Sequence, residues 1–290
     1  MVRTRVPLFA LYVLWACGSS GDPIDSGSGP APAPTTTTSS GADSGPPPAD
    51  GGQTSDSGAN GTDSDGDGLS DALEEKIATD YLPLVSVDAS DKCPTRGILV
   101  RVSPHPTEAG RITVWAIVLY DEDCGANGHP GDDETFGFVV DPKKPAPDGV
   151  LAMRAISHQG TVCEHTTTCG RCDGMTPCDT TMGRQVVYPS KDKHGNYVDK
   201  DTCDSSFICD SGGCSLNPAA ATPPHVNAGE PMKHLVDDLT KQGFITMANG
   251  WQQPTLMNYD PWMAGKFGEA GDVSKDLVDE TFVIDTTKCQ

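Results

Sequence analysis

The run from Arg111 to Tyr120, RITVWAIVLY, constrains the fold more than any other stretch of the chain. Its apolar and β-branched residues are not interleaved with polar ones, so the strand it predicts requires cover on both faces. Asp121 follows at once and sets a carboxylate at the strand's mouth. After a turn segment holding Gly125, Asn127 and Gly128 come His129, Asp132 and Glu134, and then the alternating Phe136, Phe138 and Val140 of a second strand. Asp132 and Glu134 share the parity of that aromatic row, so a strand that starts early projects them from one face. The loop can bring Asp121 and His129 back to them.

Three carboxylates gathered at one spot repel each other unless a cation, a basic side chain or a proton compensates, and no Lys or Arg lies between Asp121 and Glu134. A divalent cation is the simplest relief. Oxygen ligands favour Mg2+, Ca2+ or Mn2+, while one imidazole keeps Zn2+ open. The competing reading is an acidic, solvated hairpin loop that holds no metal. The spacing of Asp121, His129, Asp132 and Glu134 resembles that of the necrosis-inducing-protein-like family. The family's heptapeptide Gly-His-Arg-His-Asp-Trp-Glu stands here as Gly128-His129-Pro130-Gly131-Asp132-Asp133-Glu134. With glycine in its middle, the motif is also similar to the vacuolar-protein-sorting-62-like domains of secreted bacterial proteins. The resemblance runs from Tyr81 to Tyr197 and implies a β-sandwich with a divalent cation at its rim, held by those four side chains. It draws in two later histidines, His158 after the apolar run Val150 to Ile156, and His194 in Lys193-His194-Gly195. Pro130, Gly131 and Asp133 replace the family's Arg, His and Trp, which spares the ligand positions but gives no ground for membrane damage.

At the start of the chain, Arg3 and Arg5 precede an apolar run, Val6 to Ala16, too short to span a bilayer, which reads as a signal peptide. It ends Leu14-Trp15-Ala16-Cys17, which resembles the bacterial lipoprotein signal and implies lipidation of Cys17 and a place on the cell envelope. Acyl chains bind membrane at about 0.8 kcal/mol per buried methylene. The alternative is a soluble secreted protein that loses Cys17 with its signal. From 18 to 62 there is no Lys, Arg or aromatic residue, so the segment cannot bury enough surface to offset its ordering entropy and reads as a disordered tether. Of the eleven cysteines, ten remain beyond Cys17, an even number that predicts a disulfide framework in an exported chain. The clusters Cys163 to Cys178 and Cys203 to Cys214 suggest bridges within two long loops; a zinc knuckle at Cys169-Gly-Arg-Cys172 is the lesser alternative.

Asp63, Asp65, Asp67, Gly68, Asp71 and Glu74 fall on positions 1, 3, 5, 6, 9 and 12 of the D-x-D-x-D-G calcium loop, with Leu69 offering its carbonyl. Leu69, Leu73, Ile77 and Tyr81 then recur at helical spacing, and the helix ends before Pro83. This loop and helix, 63–82, resemble the half EF-hand of thrombospondin type 3 and dockerin repeats. A structural Ca2+ is the expected occupant, against an acidic linker end without one.

Residues 83–290 carry short apolar stretches between turn signals: Leu84 to Val87, Ile98 to Val102, Arg111 to Tyr120, Thr135 to Val140, Val150 to Ile156, Gln185 to Tyr188 and Thr281 to Ile284. The pattern predicts an all-β fold, a β-sandwich with long, disulfide-stapled loops. A short helix is expected over Glu230 to Thr240. Trp251, Tyr259, Trp262 and Phe267 read as core or loop packing before a ligand platform. A net charge of −21 gives a field of the wrong sign for nucleic acid. Three functions remain: a surface module binding a glycan or glycolipid head group, a structural scaffold clamped by calcium, and a metal-dependent hydrolase using Glu134 or His194 as base. For the last, neither HExxH nor GxSxG is present.

Overall fold

The computed structural model describes residues 61–126, 128–158, 163–206, 209–210, 212–230, 232–258, 261–262 and 284–289. Cys17 and its signal segment, all but the end of the tether, Tyr259, Phe267 and the strand expected at 281–283 lie outside them. None of the described helices is long and apolar enough to cross a membrane.

In chain order the elements are α1 (Asp71–Tyr81), β1 (Leu84–Val85), β2 (Thr95–Pro104), β3 (Ile112–Glu122), β4 (Pro130–Val140), β5 (Val150–Ser157), β6 (His165–Gly170), β7 (Thr180–Thr181), β8 (Arg184–Pro189), β9 (Asn196–Tyr197), α2 (Lys200–Ser205) and β10 (His225–Asn227). Six strands form the larger sheet in the order β10-β2-β3-β4-β5-β6, antiparallel except for the β10–β2 pair. The smaller sheet runs β1-β8-β7, with β9 also on β8. This is the all-β sandwich the strand pattern implied. Five disulfides staple it.

The strand built from RITVWAIVLY lies inside the larger sheet and is covered on both faces. Val114, Ala116, Val118 and Tyr120 point inward with Phe136 and Phe138, against Val85 and Val187 of the smaller sheet and Ile77, Ala78 and Tyr81 of α1. Ile117 and Leu119 point outward with Leu99, beneath Leu239, Ile245, Trp251, Met257 and Trp262. Each such side chain removed from water contributes about 1.5–3 kcal/mol, so both layers are needed to hold the sheet. The late tryptophans are therefore packing residues. Arg101, wholly buried, lies with its guanidinium 4.6 Å from the Trp262 ring centre and 5.6 Å from that of Trp115. It joins the outer layer to the sheet.

α1 begins where the Ser70 side chain accepts a hydrogen bond from Leu73 N, and it ends at Leu82, ahead of Pro83. Its buried residues belong to the main core, so it is an integral layer. The helix expected over Glu230 to Thr240 does not form. The His234 ring bonds Ala228 O and Asn258 O, and the Asp238 carboxylate caps a 3-10 turn that starts only at Leu239. Tertiary bonds there outweigh a weak local pattern. β6, with the sequence HTTTCG, lacks the apolar alternation that betrays a strand and pairs only because β5 presents an edge.

The disulfides join Cys93–Cys124, Cys163–Cys209, Cys169–Cys178, Cys172–Cys289 and Cys203–Cys214. Two lie within the expected loops, and Cys163–Cys209 ties those loops together. Cys169 and Cys172 take different partners, so the zinc-knuckle alternative is corrected: bridged sulfurs are not thiolates and hold no zinc.

Candidate functional site

The fold carries an acidic centre at the mouth of β3 and β4 and another in the loop before α1. At the mouth, β4 does start early, at Pro130, so Asp132 pairs with Tyr120 and Glu134 with Val118 on the inward face. The carboxylates thus cap the aromatic row of Phe136 and Phe138 inside the sandwich.

His194 reaches them from the turn between β8 and β9, a turn closed by His194 N to Ser190 O and Ser190 N to Gly195 O. Its backbone is left-handed, with φ of 60°. The ring is fully buried, with Nδ1 2.6 Å from Asp132 Oδ2 and Nε2 3.4 Å from Asp91 Oδ2. It also stacks on Tyr120, centroids 3.8 Å apart. Burial alone would lower the pKa of this imidazole, but the hydrogen bonds to Asp132 and Asp91 raise it to about 9. Glu134 stands beside Asp132 and Asp133, and burial followed by those charges holds its carboxyl well above the usual range.

The other expected ligands go elsewhere. Asp121 forms a two-pronged ion pair with Arg96, Nε to Oδ1 at 2.6 Å and Nη2 to Oδ2. His129 turns its Nδ1 to Gly131 O at 3.1 Å, with Nε2 3.9 Å from Asp123. His158 bonds Asp210, which also accepts from Ser190 and Tyr197. Among the described residues no three of Asp121, His129, Asp132, Glu134, His158 and His194 bring ligand atoms within 4.8 Å of one another. Asp121, His129, His158 and the Asp132–His194 pair are thus each engaged in a separate contact at this end of the sandwich. Compensation comes from basic groups distant in sequence, Arg96 across the strand pair, His194 across the sandwich, and Lys193, which binds Asp123. An open hollow of about 400 Å3 remains at this rim, lined by Glu122, Asp123, His129 and their neighbours. Asn196, two residues beyond His194 and wholly buried, has neither amide atom satisfied among the described residues.

Two other clusters of ligand-type side chains share a bridged cysteine. Asp91, Cys93 and His194 lie close, as do Cys93, Glu122 and Cys124, but Cys93 and Cys124 are bonded to each other.

The loop before α1 behaves differently. Asp63, Asp65 and Asp67 bring carboxylate oxygens within 4.8 Å of one another. Asp63 accepts from Gly66 N and Gly68 N, Asp67 from Leu69 N, and Asp71 from Ser64, which winds the chain around the carboxylates. Gly66 and Gly68 take positive φ to allow the turn. Glu74 descends from the first turn of α1 and is wholly buried, receiving Asn227 Nδ2 on Oε2 at 3.2 Å. Asp65 Oδ1, Asp67 Oδ2 and Glu74 Oε1 are buried with no hydrogen-bond partner among the described residues. Such oxygens are costly unless something positive meets them. Burial first, then the neighbouring aspartates, pushes Glu74 up to about 9; Asp67 reaches about 7, chiefly through burial. The oxygen donors, their number and the missing partners fit a hard divalent cation.

No family model matches the chain, and no curated protein does. Similar solved structures include "NLPPya in complex with glucosamine", at 12% identity and a TM-score of 0.37 over 72% of this chain and 88% of that one. "NLPPya in complex with mannosamine" gives 12%, 0.37, 72% and 89%. "Toxin fold as basis for microbial attack and plant defense" gives 12%, 0.34, 72% and 89%. At that distance the likeness carries no argument about what this chain binds.

Proposed function

We propose that this protein is a calcium-pinned binding module of the bacterial cell envelope, tethered through lipidated Cys17, whose acidic rim takes the hydroxyl-rich head group of a glycan or glycolipid. The observation that carries the calcium is the trio of buried, partnerless oxygens on Asp65, Asp67 and Glu74. Ca2+ is the cation preferred by a flexible all-oxygen loop with glycine at its tight turn.

The rim supports binding rather than turnover. Both ring nitrogens of His194 face carboxylates, so neither is turned to a substrate proton. Glu122 and Asp123 supply acceptors beside an open hollow, and acceptors at a surface suit ligand hydroxyls. The acidic field repels phosphate-rich surfaces, which leaves neutral polyols as the fitting class.

A glycan array probed with the full chain tests the reading. Binding shown by the parent and lost in Glu122→Ala and His129→Ala, with folding unchanged, supports it. An array without signal, beside melting that still rises with Ca2+, leaves the calcium-clamped scaffold. Turnover of an ester or phosphodiester panel that dies with Glu134→Gln would move the protein to the hydrolases.

A further inference from the structure

The calcium loop is not self-contained. Its inner side rests on the chain just after β10, where Glu230 N donates to Asp65 Oδ2 at 2.9 Å. Gly229 makes that approach possible: it has φ of 68°, and a Cβ there would lie 3.1 Å from Asp65 Oδ2 and 2.9 Å from both Leu235 N and Lys233 O. The Glu230 carboxylate is half-buried beside the loop. Its charge acts on Asp65 and Asp67, and Ser103 Oγ donates to its Oε1. Asn227 meanwhile holds Glu74 with its amide nitrogen and Gly229 N with its oxygen. Two segments some 150 residues apart in sequence thus meet at the loop, Glu230 through its backbone N–H on Asp65 and Asn227 through its amide on Glu74.

We propose that Glu230 joins Asp63, Asp65, Asp67 and Glu74 in holding one divalent cation of the Ca2+ class, so that the ion straps the loop before α1 to the segment that covers the outer face of the larger sheet. This rests on the calcium reading above and adds a ligand and a mechanical role to it. A loop-borne set of carboxylates would fix only the end of the tether. A ligand from Glu230 fixes the outer layer too. Gly229 O accepts from Arg101 Nε at 2.5 Å, and Arg101 lies over Trp262. The next residues along that segment, Leu239, Ile245 and Trp251, form the layer over Leu99, Ile117 and Leu119. An ion bound between Asp65 and Glu230 therefore holds down one end of that layer. Without an ion, the Glu230 charge opposes those of Asp65 and Asp67 across the contact. Lys233, whose ammonium lies near Gly66, is the basic group available to soften this.

The test uses the full chain and Ca2+ alone, titrated calorimetrically into parent and Glu230→Gln protein after chelator treatment. Glu230→Gln should bind Ca2+ at least about tenfold more weakly, the scale on which even outer partners of a metal site register, while its ion-free melting temperature does not fall below the parent's. Ser103→Ala, which frees Glu230 without removing its charge, is expected to bind several-fold more weakly and keeps the test open if Glu230→Gln folds poorly. Amide exchange over 232–258 should slow with Ca2+ in the parent and not in Glu230→Gln. Parent-like affinity in both variants, or exchange indifferent to Ca2+ in the parent, overturns the strap and leaves the loop's calcium standing. A parent that takes up no Ca2+ overturns both.

Discussion

Tyr120 and His194 lie ring upon ring, 3.8 Å between centroids and 4° from parallel, although one ends a central strand and the other sits in a turn of the opposite layer. The stack buries an imidazole between Asp132 and Asp91, and it fixes the turn between β8 and β9 over the mouth of β3 and β4. A buried group with two charged partners is a specific joint: removing one member leaves the others uncompensated.

His194→Ala should therefore cost about 3–5 kcal/mol of stability, the range for breaking a buried ion pair. Urea denaturation of the disulfide-intact protein measures it. A loss below about 1 kcal/mol, as for exposed pairs, would mean that Asp132 and Asp91 are solvated without the ring.

The same joint predicts a pH dependence. The folded pKa of His194, about 9, lies above the ordinary histidine value of 6.5, so folding takes up a proton between them. Its contribution is complete below pH 6.5 and is lost as pH rises through 9. In calcium-saturated protein the melting temperature of the parent should fall across that window relative to His194→Gln. Parallel curves would show that the ring is neutral when folded.

Calcium uptake should expel protons. In the ion-free loop Glu74 titrates near 9 and Asp67 near 7, both above the unfolded carboxylate range, and the ion needs them deprotonated. Affinity should rise steadily from pH 5 to pH 9, with release of roughly one to two protons at neutral pH. Calorimetry in buffers of different ionisation enthalpy counts them; a pH-independent affinity is the contrary result.

Removing Cys172–Cys289 should cost more than removing Cys169–Cys178. The first closes a separation of 117 residues and holds the chain end near Val139, Leu151 and Ala152, while the second closes a separation of 9. On loop-closure entropy the long bridge is worth about 4–5 kcal/mol. Guanidinium midpoints of Cys172→Ala/Cys289→Ala and Cys169→Ala/Cys178→Ala, each as a pair, should rank in that order.

Much of this architecture is legible in local pattern. RITVWAIVLY announces a doubly covered strand, the spacing from Asp63 to Glu74 announces a wound acidic loop, and Leu73, Ile77 and Tyr81 announce the helix behind it, because these depend on periods of a few residues. The parity of Asp132 and Glu134 with Phe136 likewise belongs to the pleat alone.

What the sequence could not decide is which charges meet. Arg96 claims Asp121, His194 claims Asp132 and the backbone N–H of Glu230 meets Asp65, pairings that join segments 25, 62 and 165 residues apart through the stacking of layers. The disulfide partners, the edge strand HTTTCG and the missing helix after Glu230 belong to the same class. Sequence sets what each short segment prefers to be; only the closed sandwich sets which buried charge finds a partner, because that choice is made by desolvation at contacts no local period encodes.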